Sequence, residues 1–120
     1  MKRFLTCIAV FIALNGCSKS SELHDAMESM KEPYKTMREA SDINQVKTEL
    51  AAFMQGLEIA KMQQVKAEDQ ATFDEGMKKL VELTGQAEAA VNAGNLEQAK
   101  SALKQMGDVR KEYHDKLGVK

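Results

Sequence analysis

An all-α fold, an antiparallel up-down-up-down four-helix bundle, follows from three features of the sequence. Good helix formers (Ala, Met, Glu, Lys and Gln) dominate a 120-residue chain with one proline and no tryptophan. Apolar residues recur at steps of three and four in four separate stretches, and no stretch alternates as a strand does. The connections between the stretches are short, and short loops join antiparallel neighbours.

The N-terminus reads as a targeting signal outside the fold. Lys2 and Arg3 form a basic start, and Phe4 to Leu14 is apolar apart from Thr6. A mature membrane span needs about 20 apolar residues, so this run fits a secretory signal. Leu14-Asn15-Gly16-Cys17 is similar to a bacterial lipoprotein cleavage site, with Cys17 as the lipid attachment point. The expected organisation is a signal over 1–16, a short linker over 17–21 and a bundle over 22–118. Cys7 lies inside the signal, so Cys17 has no partner for an intramolecular disulfide. Without Lys2 and Arg3, the 17 basic residues fall to 15 against 18 acidic, a formal net charge of -3. No clustered basic face marks a nucleic-acid footprint.

The first helix is expected from about Ser21 to Ala40, capped by Ser21. Its stripe is Leu23, Met27, Met30, Tyr34 and Met37, with Pro33 inside it as a source of bending. Asp42 opens the second helix, with Gln45 placed for a capping box. Its stripe is Val46, Leu50, Phe53, Leu57 and Ala60. Thr72 and Glu75 form another such box, which predicts a third helix starting at Phe73. The third stripe runs through Phe73, Met77, Leu80, Thr84, Ala87 and Val91. Gly94 ends it in a left-handed conformation. Asn95 then caps the fourth helix, whose face is Leu96, Ala99, Leu103, Met106, Val109, Tyr113 and Leu117. Gly118 stops it.

This topology brings chemistry to one end. Met27 lies six residues beyond Ser21, about 9 Å into the bundle. His114 lies three residues before Leu117, about 5 Å from the same end. Met77 is about 7 Å in from Thr72. A thioether and an imidazole can face each other in that layer, as in the His/Met axial pair of electron-transfer haems. Phe73, Met30 and Met77 would wall the macrocycle. Arg110-Lys111-Glu112-Tyr113-His114 is not a Cys-x-x-Cys-His attachment motif, so one haem b would be held without covalent bonds. Two filled axial positions leave no open iron site, and no hydrolytic constellation is present. Electron transfer is expected, and enzymatic turnover is not.

Leu23-His24-Asp25-Ala26-Met27-Glu28, Gln45-Val46-Lys47 and Arg110-Lys111-Glu112-Tyr113-His114 carry a family resemblance. The chain after Cys17 resembles the soluble cytochrome b-562 family of periplasmic four-helix haem proteins. The resemblance implies axial ligation by Met27 and His114, a haem-contacting aromatic at Phe73 and a propionate counter-charge at Arg110. It also implies a periplasmic one-electron carrier with a redox partner that the sequence does not identify, acting as a monomer or weak dimer. Ser18 after Cys17 points to an outer-membrane anchor. Such an anchor holds the haem end near the membrane. The chain departs from the family's well-known member in a shorter second loop without prolines, and in Pro33. Two other readings stay open: a haem-free envelope binding or stress module, and a periplasmic copper protein using His24 with the methionines.

Overall fold

The computed structural model describes the backbone of residues 8–119 and the side chains of residues 22–119. Four helices make up the fold: α1 (Ile8–Glu39), α2 (Ile43–Lys61), α3 (Ala67–Asn92) and α4 (Leu96–Leu117). Residues 1–7, which open the expected signal, and the Cys17 side chain lie outside the described residues. Within them, no helix is long and apolar enough to cross a membrane.

Helix α1 differs from expectation at its start. It runs unbroken through residues 17–21, where the sequence suggests a linker, and Ser21 sits inside it instead of capping it. Nothing between Cys17 and Ser21 forbids helix, since no proline or obligatory turn residue occurs there. Pro33 is likewise accommodated without ending the helix.

Helix α2 begins as the sequence indicates. Asp42 is its N-cap, and the carboxylate accepts from the Asn44 backbone N–H at 2.9 Å. Helix α3 starts five residues earlier than its capping-box signal. Ala67 is its first residue, Lys66 precedes it without a side-chain cap, and Thr72 lies inside the helix. The stretch Ala67–Ala71 contains good helix formers with Glu68 and Asp69 at the positive end of the dipole, so helix extends past the Thr72 signal. Asn95 caps α4 by accepting from Gln98 N–H at 3.0 Å. Gly94 and Gly118 take positive φ (70° and 72°), and each closes a helix as expected.

The helices pack as two tight hairpins, α1 with α2 and α3 with α4. The hairpins meet through α2 and α3 and, more sparsely, through α1 and α4. Val46, Leu50, Phe53, Leu57 and Ala60 of α2 are all buried, with Met37 of α1 and Leu103 and Met106 of α4. Burying a side chain of this size contributes about 1.5–3 kcal/mol each. The continuous core runs from Ala26 to Met106. Phe73 and Tyr113 are also buried but stand outside that cluster.

Two close approaches depend on glycine. A Cβ on Gly56 would fall 2.6 Å from Met30 Cγ and 3.2 Å from the Ala26 carbonyl oxygen, so α2 presses on α1 there. A Cβ on Gly76 would fall 2.8 Å from Tyr113 Cγ, so the α4 tyrosine lies flat on the α3 backbone.

Candidate haem site at the open end of the α1–α4 seam

The seam between α1 and α4 is closed at one end and open at the other. At the closed end the Tyr34 hydroxyl donates to the Leu103 carbonyl, and Arg38 donates to the Tyr34 oxygen at 3.1 Å. The Lys100 ammonium donates to the Arg38 carbonyl. Gly107 gives Tyr34 room, because a Cβ there would fall 2.5 Å from the hydroxyl.

These contacts fix the register of the two helices. Met27 lies seven residues before Tyr34, and His114 seven residues after Gly107. A seven-residue step returns to nearly the same helix face, drifting about 20°. It also advances two turns, about 10.5 Å. In an antiparallel pair both steps lead toward the same end. Met27 and His114 therefore occupy facing positions one layer beyond the Tyr34–Gly107 contact.

Both side chains are half-buried. Met27 packs on the edge of the core, as do Leu23 and Met77. Burial lowers the pKa of His114, the nearby Arg110 charge lowers it further, and Asp115 opposes both. The imidazole is thus held mainly neutral at pH 7, the form that can donate a lone pair to a metal.

The other sequence candidates divide. Phe73 is buried and Met77 half-buried on successive turns of α3, at the open end. Arg110 is exposed one turn before His114. Met30 is not part of the α1–α4 seam. It is buried in the main core with Cγ over Gly56, on the side of α1 that faces α2. His24 is exposed, so it and Met30 do not share an environment. Among the described residues no three His, Cys, Asp or Glu side chains converge as a metal-binding group.

The stripe places Tyr113 on the inner face of α4, and the residue is 4% exposed; what spacing does not show is that its hydroxyl is buried without a hydrogen-bond partner. The Lys79 and Lys116 ammonium groups lie 5.3 and 4.7 Å from its ring centroid. The hydroxyl is near enough to Lys79 to be the main cause of that residue's raised pKa, although no hydrogen bond of acceptable geometry forms. Lys116 also pairs with Glu112 at 3.0 Å. Two surface grooves lie elsewhere between α3 and α4, around Gln86 with Ser101 and around Lys79 with Val109, away from Met27 and His114.

The donor set fits a haem. Register brings one soft thioether and one imidazole to the same layer, where the seam carries no bridging hydrogen bond among the described side chains. The neighbouring walls (Phe73, Met77 and Leu23) are apolar. No curated protein matches the chain. A sequence model described as Cytochrome b562 matches residues 22–117, nearly the whole bundle and both Met27 and His114. The chain therefore belongs to the cytochrome b562 family, and with it to the haem-binding helical-bundle cytochromes.

Proposed function

We propose that this chain is a one-electron carrier of the bacterial envelope that holds one haem b non-covalently, with the Met27 thioether and the His114 imidazole as axial ligands. The observation that carries this reading is the heptad continuation of the α1–α4 seam from Tyr34 and Gly107 to Met27 and His114. When bound, the haem supplies a one-electron iron couple. His114 is kept neutral and available by its partial burial and by Arg110. Met27 contributes a soft donor, and a His/Met pair raises the reduction potential. Phe73 and Met77 would exclude water from the macrocycle, and Arg110 would balance a propionate. With Met27 and His114 both held by the iron, substrate would have no place on it, in keeping with a carrier and not an oxygenase.

The anchor belongs to the same proposal. Residues 1–16 act as the export signal, and Cys17 receives lipid at its mature N-terminus. The carrier then works from the periplasmic face of the outer membrane, as a monomer that meets its redox partner transiently.

The test is the absorption spectrum of the mature domain loaded with haem, oxidised and reduced, beside Met27→Ala and His114→Ala. A low-spin spectrum in the parent, lost or turned high-spin in both variants, is the expected result. Stoichiometric low-spin binding that survives either substitution would overturn the ligand assignment. A well-folded parent that takes up no haem would favour a haem-free envelope module.

A further inference from the structure

Charge is sorted along the α1–α4 seam. Tyr34 against Gly107, and Lys100 on the Arg38 carbonyl, fix where the two helices touch. At about 100° per residue, Arg38 and Lys31 stand about 40–60° round α1 from Tyr34, on the side away from buried Met37. Lys100, Lys111 and Lys104 stand about 20–60° round α4 from Gly107, away from buried Leu103 and Met106. Both sets therefore line the outer lip of the same seam. All five are exposed except Lys100, which is half-buried. Sequence spacing shows no clustered basic face, because the members come from the first and last helices.

The neighbouring acids stand further round. Glu28, Glu32 and Glu39 lie about 120–160° from Tyr34, and Glu97, Asp108 and Asp115 about 80–100° from Gly107. Among the described residues only Asp108 reaches back, to Lys104 at 3.8 Å, and both side chains are exposed. An exposed pair of that kind holds its cation weakly. Two of the cations are already ordered: Arg38 donates to the Tyr34 oxygen at 3.1 Å, and Lys100 to the Arg38 carbonyl. From Lys100 to Lys111 the stripe extends about 16 Å along the axis. It stops about one turn short of the ligand layer, with Lys31 four residues after Met27 and Lys111 three before His114.

We infer that this face is where the redox partner docks, and that the partner is a protein presenting carboxylates to Lys31, Arg38, Lys100, Lys104 and Lys111. The inference rests on the proposed electron-carrier function. The chain carries a formal net charge of -1 in spite of this stripe, so its remaining surface is net acidic and turns an acidic partner toward the seam. Complementary charge of this kind speeds encounter and fixes register. Ordered cations also lose less freedom on binding. A partner seated here lies beside the seam that holds Met27 and His114. An anionic bilayer is a poorer occupant, because the stripe runs along the flank of the bundle and not across the end where α1 begins. A long polyanion would meet the acids that border the stripe on both sides.

The experiment follows oxidation of the reduced, haem-loaded protein by hexacyanoferrate(III), an anionic one-electron acceptor, with and without decaglutamate as a model acidic surface. The parent is compared with Lys31→Glu/Lys111→Glu and with Lys47→Glu/Lys78→Glu, which makes the same change of net charge at exposed positions of α2 and α3. At an ionic strength of about 0.1 M, charges beyond about 10 Å are largely screened. There the seam pair should react about fivefold more slowly than the parent and the α2–α3 pair within about twofold, with unchanged haem spectra. Decaglutamate should slow the parent and not the seam pair, and the differences should close at about 1 M salt. Equal slowing in the two pairs would mean that only net charge matters, which overturns the inference and leaves the carrier standing. A parent indifferent to decaglutamate overturns the assignment of a carboxylate-bearing partner. Binding of Cys17→Ser protein to phosphatidylglycerol vesicles, lost in the seam pair, gives the stripe to lipid and also overturns it. A parent that takes up no haem overturns the carrier reading, and this inference with it.

Discussion

The closed and open ends of this bundle are built on the same register and differ in what occupies it. At the closed end, Tyr34, Arg38, Lys100 and Leu103 join α1 to α4 by side-chain hydrogen bonds to backbone and to each other. Two turns away, Met27 and His114 hold the equivalent positions half-buried and unbridged. The helix caps follow the same division. Asp42 and Asn95, at the closed end, both accept from backbone N–H groups. The helix that starts at the open end, α3, has no side-chain cap. The polar ties between α1 and α4 are concentrated at one end of the seam, which leaves the other end free to open around a ligand. Segments that admit ligands are drawn from the less stable parts of a fold.

The largest expected contrast uses one residue type on one helix. Met37 is fully buried in the core, whereas Met27 is half-buried at the open end. Met37→Ala should lower the stability of the haem-free protein by about 2–5 kcal/mol through loss of packing and the cavity left behind. Met27→Ala should cost about 1 kcal/mol or less, since a partly exposed site loses less transfer energy and its space can fill with water. Urea denaturation of both variants without haem measures the difference. Equal costs would mean that the two ends are packed alike.

The two tyrosines give a contrast of sign. The Tyr34 hydroxyl donates to a carbonyl, and Tyr34→Phe should cost about 0.5–1.5 kcal/mol. The Tyr113 hydroxyl is buried without a partner. Removing an unsatisfied buried group relieves its desolvation penalty, so Tyr113→Phe should be neutral or stabilising by up to about 1 kcal/mol in the haem-free state. Thermal unfolding of the pair decides it. A destabilised Tyr113→Phe would show that the hydroxyl oxygen has a partner in solution, accepting from the ammonium of Lys79, whose pKa it raises.

Much of this was legible from spacing alone. The α2 stripe from Val46 to Ala60 is buried at every position named for it. The turn at Gly94-Asn95 works by the chemistry that those residues advertise. What stayed hidden depends on neighbours that a one-dimensional pattern cannot supply. Gly56, Gly76 and Gly107 stand out in no stripe, yet at each a neighbouring helix's side chain comes within 3.0 Å of where a Cβ would be. Met30 shares the α1 stripe with Met27, but a stripe does not say which neighbour each residue meets. Met30 lies against Gly56 of α2, and Met27 packs half-buried at the edge of the core. The pairing of Met27 with His114 was expected because both lie within two turns of one end, six residues after Ser21 and three before Leu117. The Tyr34–Gly107 contact adds the register that puts them in one layer.

The smallest expected effect bears on how the open end begins. A Thr-x-x-Glu signal at Thr72 and Glu75 suggests a helix start, yet α3 begins at Ala67 and Thr72 lies within it. Asn95, at the closed end, performs the capping role, accepting from Gln98 N–H. Asn95→Ala should therefore cost about 1 kcal/mol. Thr72→Ala should change stability by no more than about 0.5 kcal/mol, and in the stabilising direction, because alanine is the better helix former at an interior position. Chemical denaturation of the two variants side by side checks this, with amide exchange over residues 67–71 as a second readout. A cost at Thr72 equal to that at Asn95, with fast exchange through Ala67–Ala71, would mean that the first turn of α3 is frayed and that the open end starts at the capping box. The closed end would be unaffected in either case, since Asn95 and Asp42 cap it independently of where α3 begins.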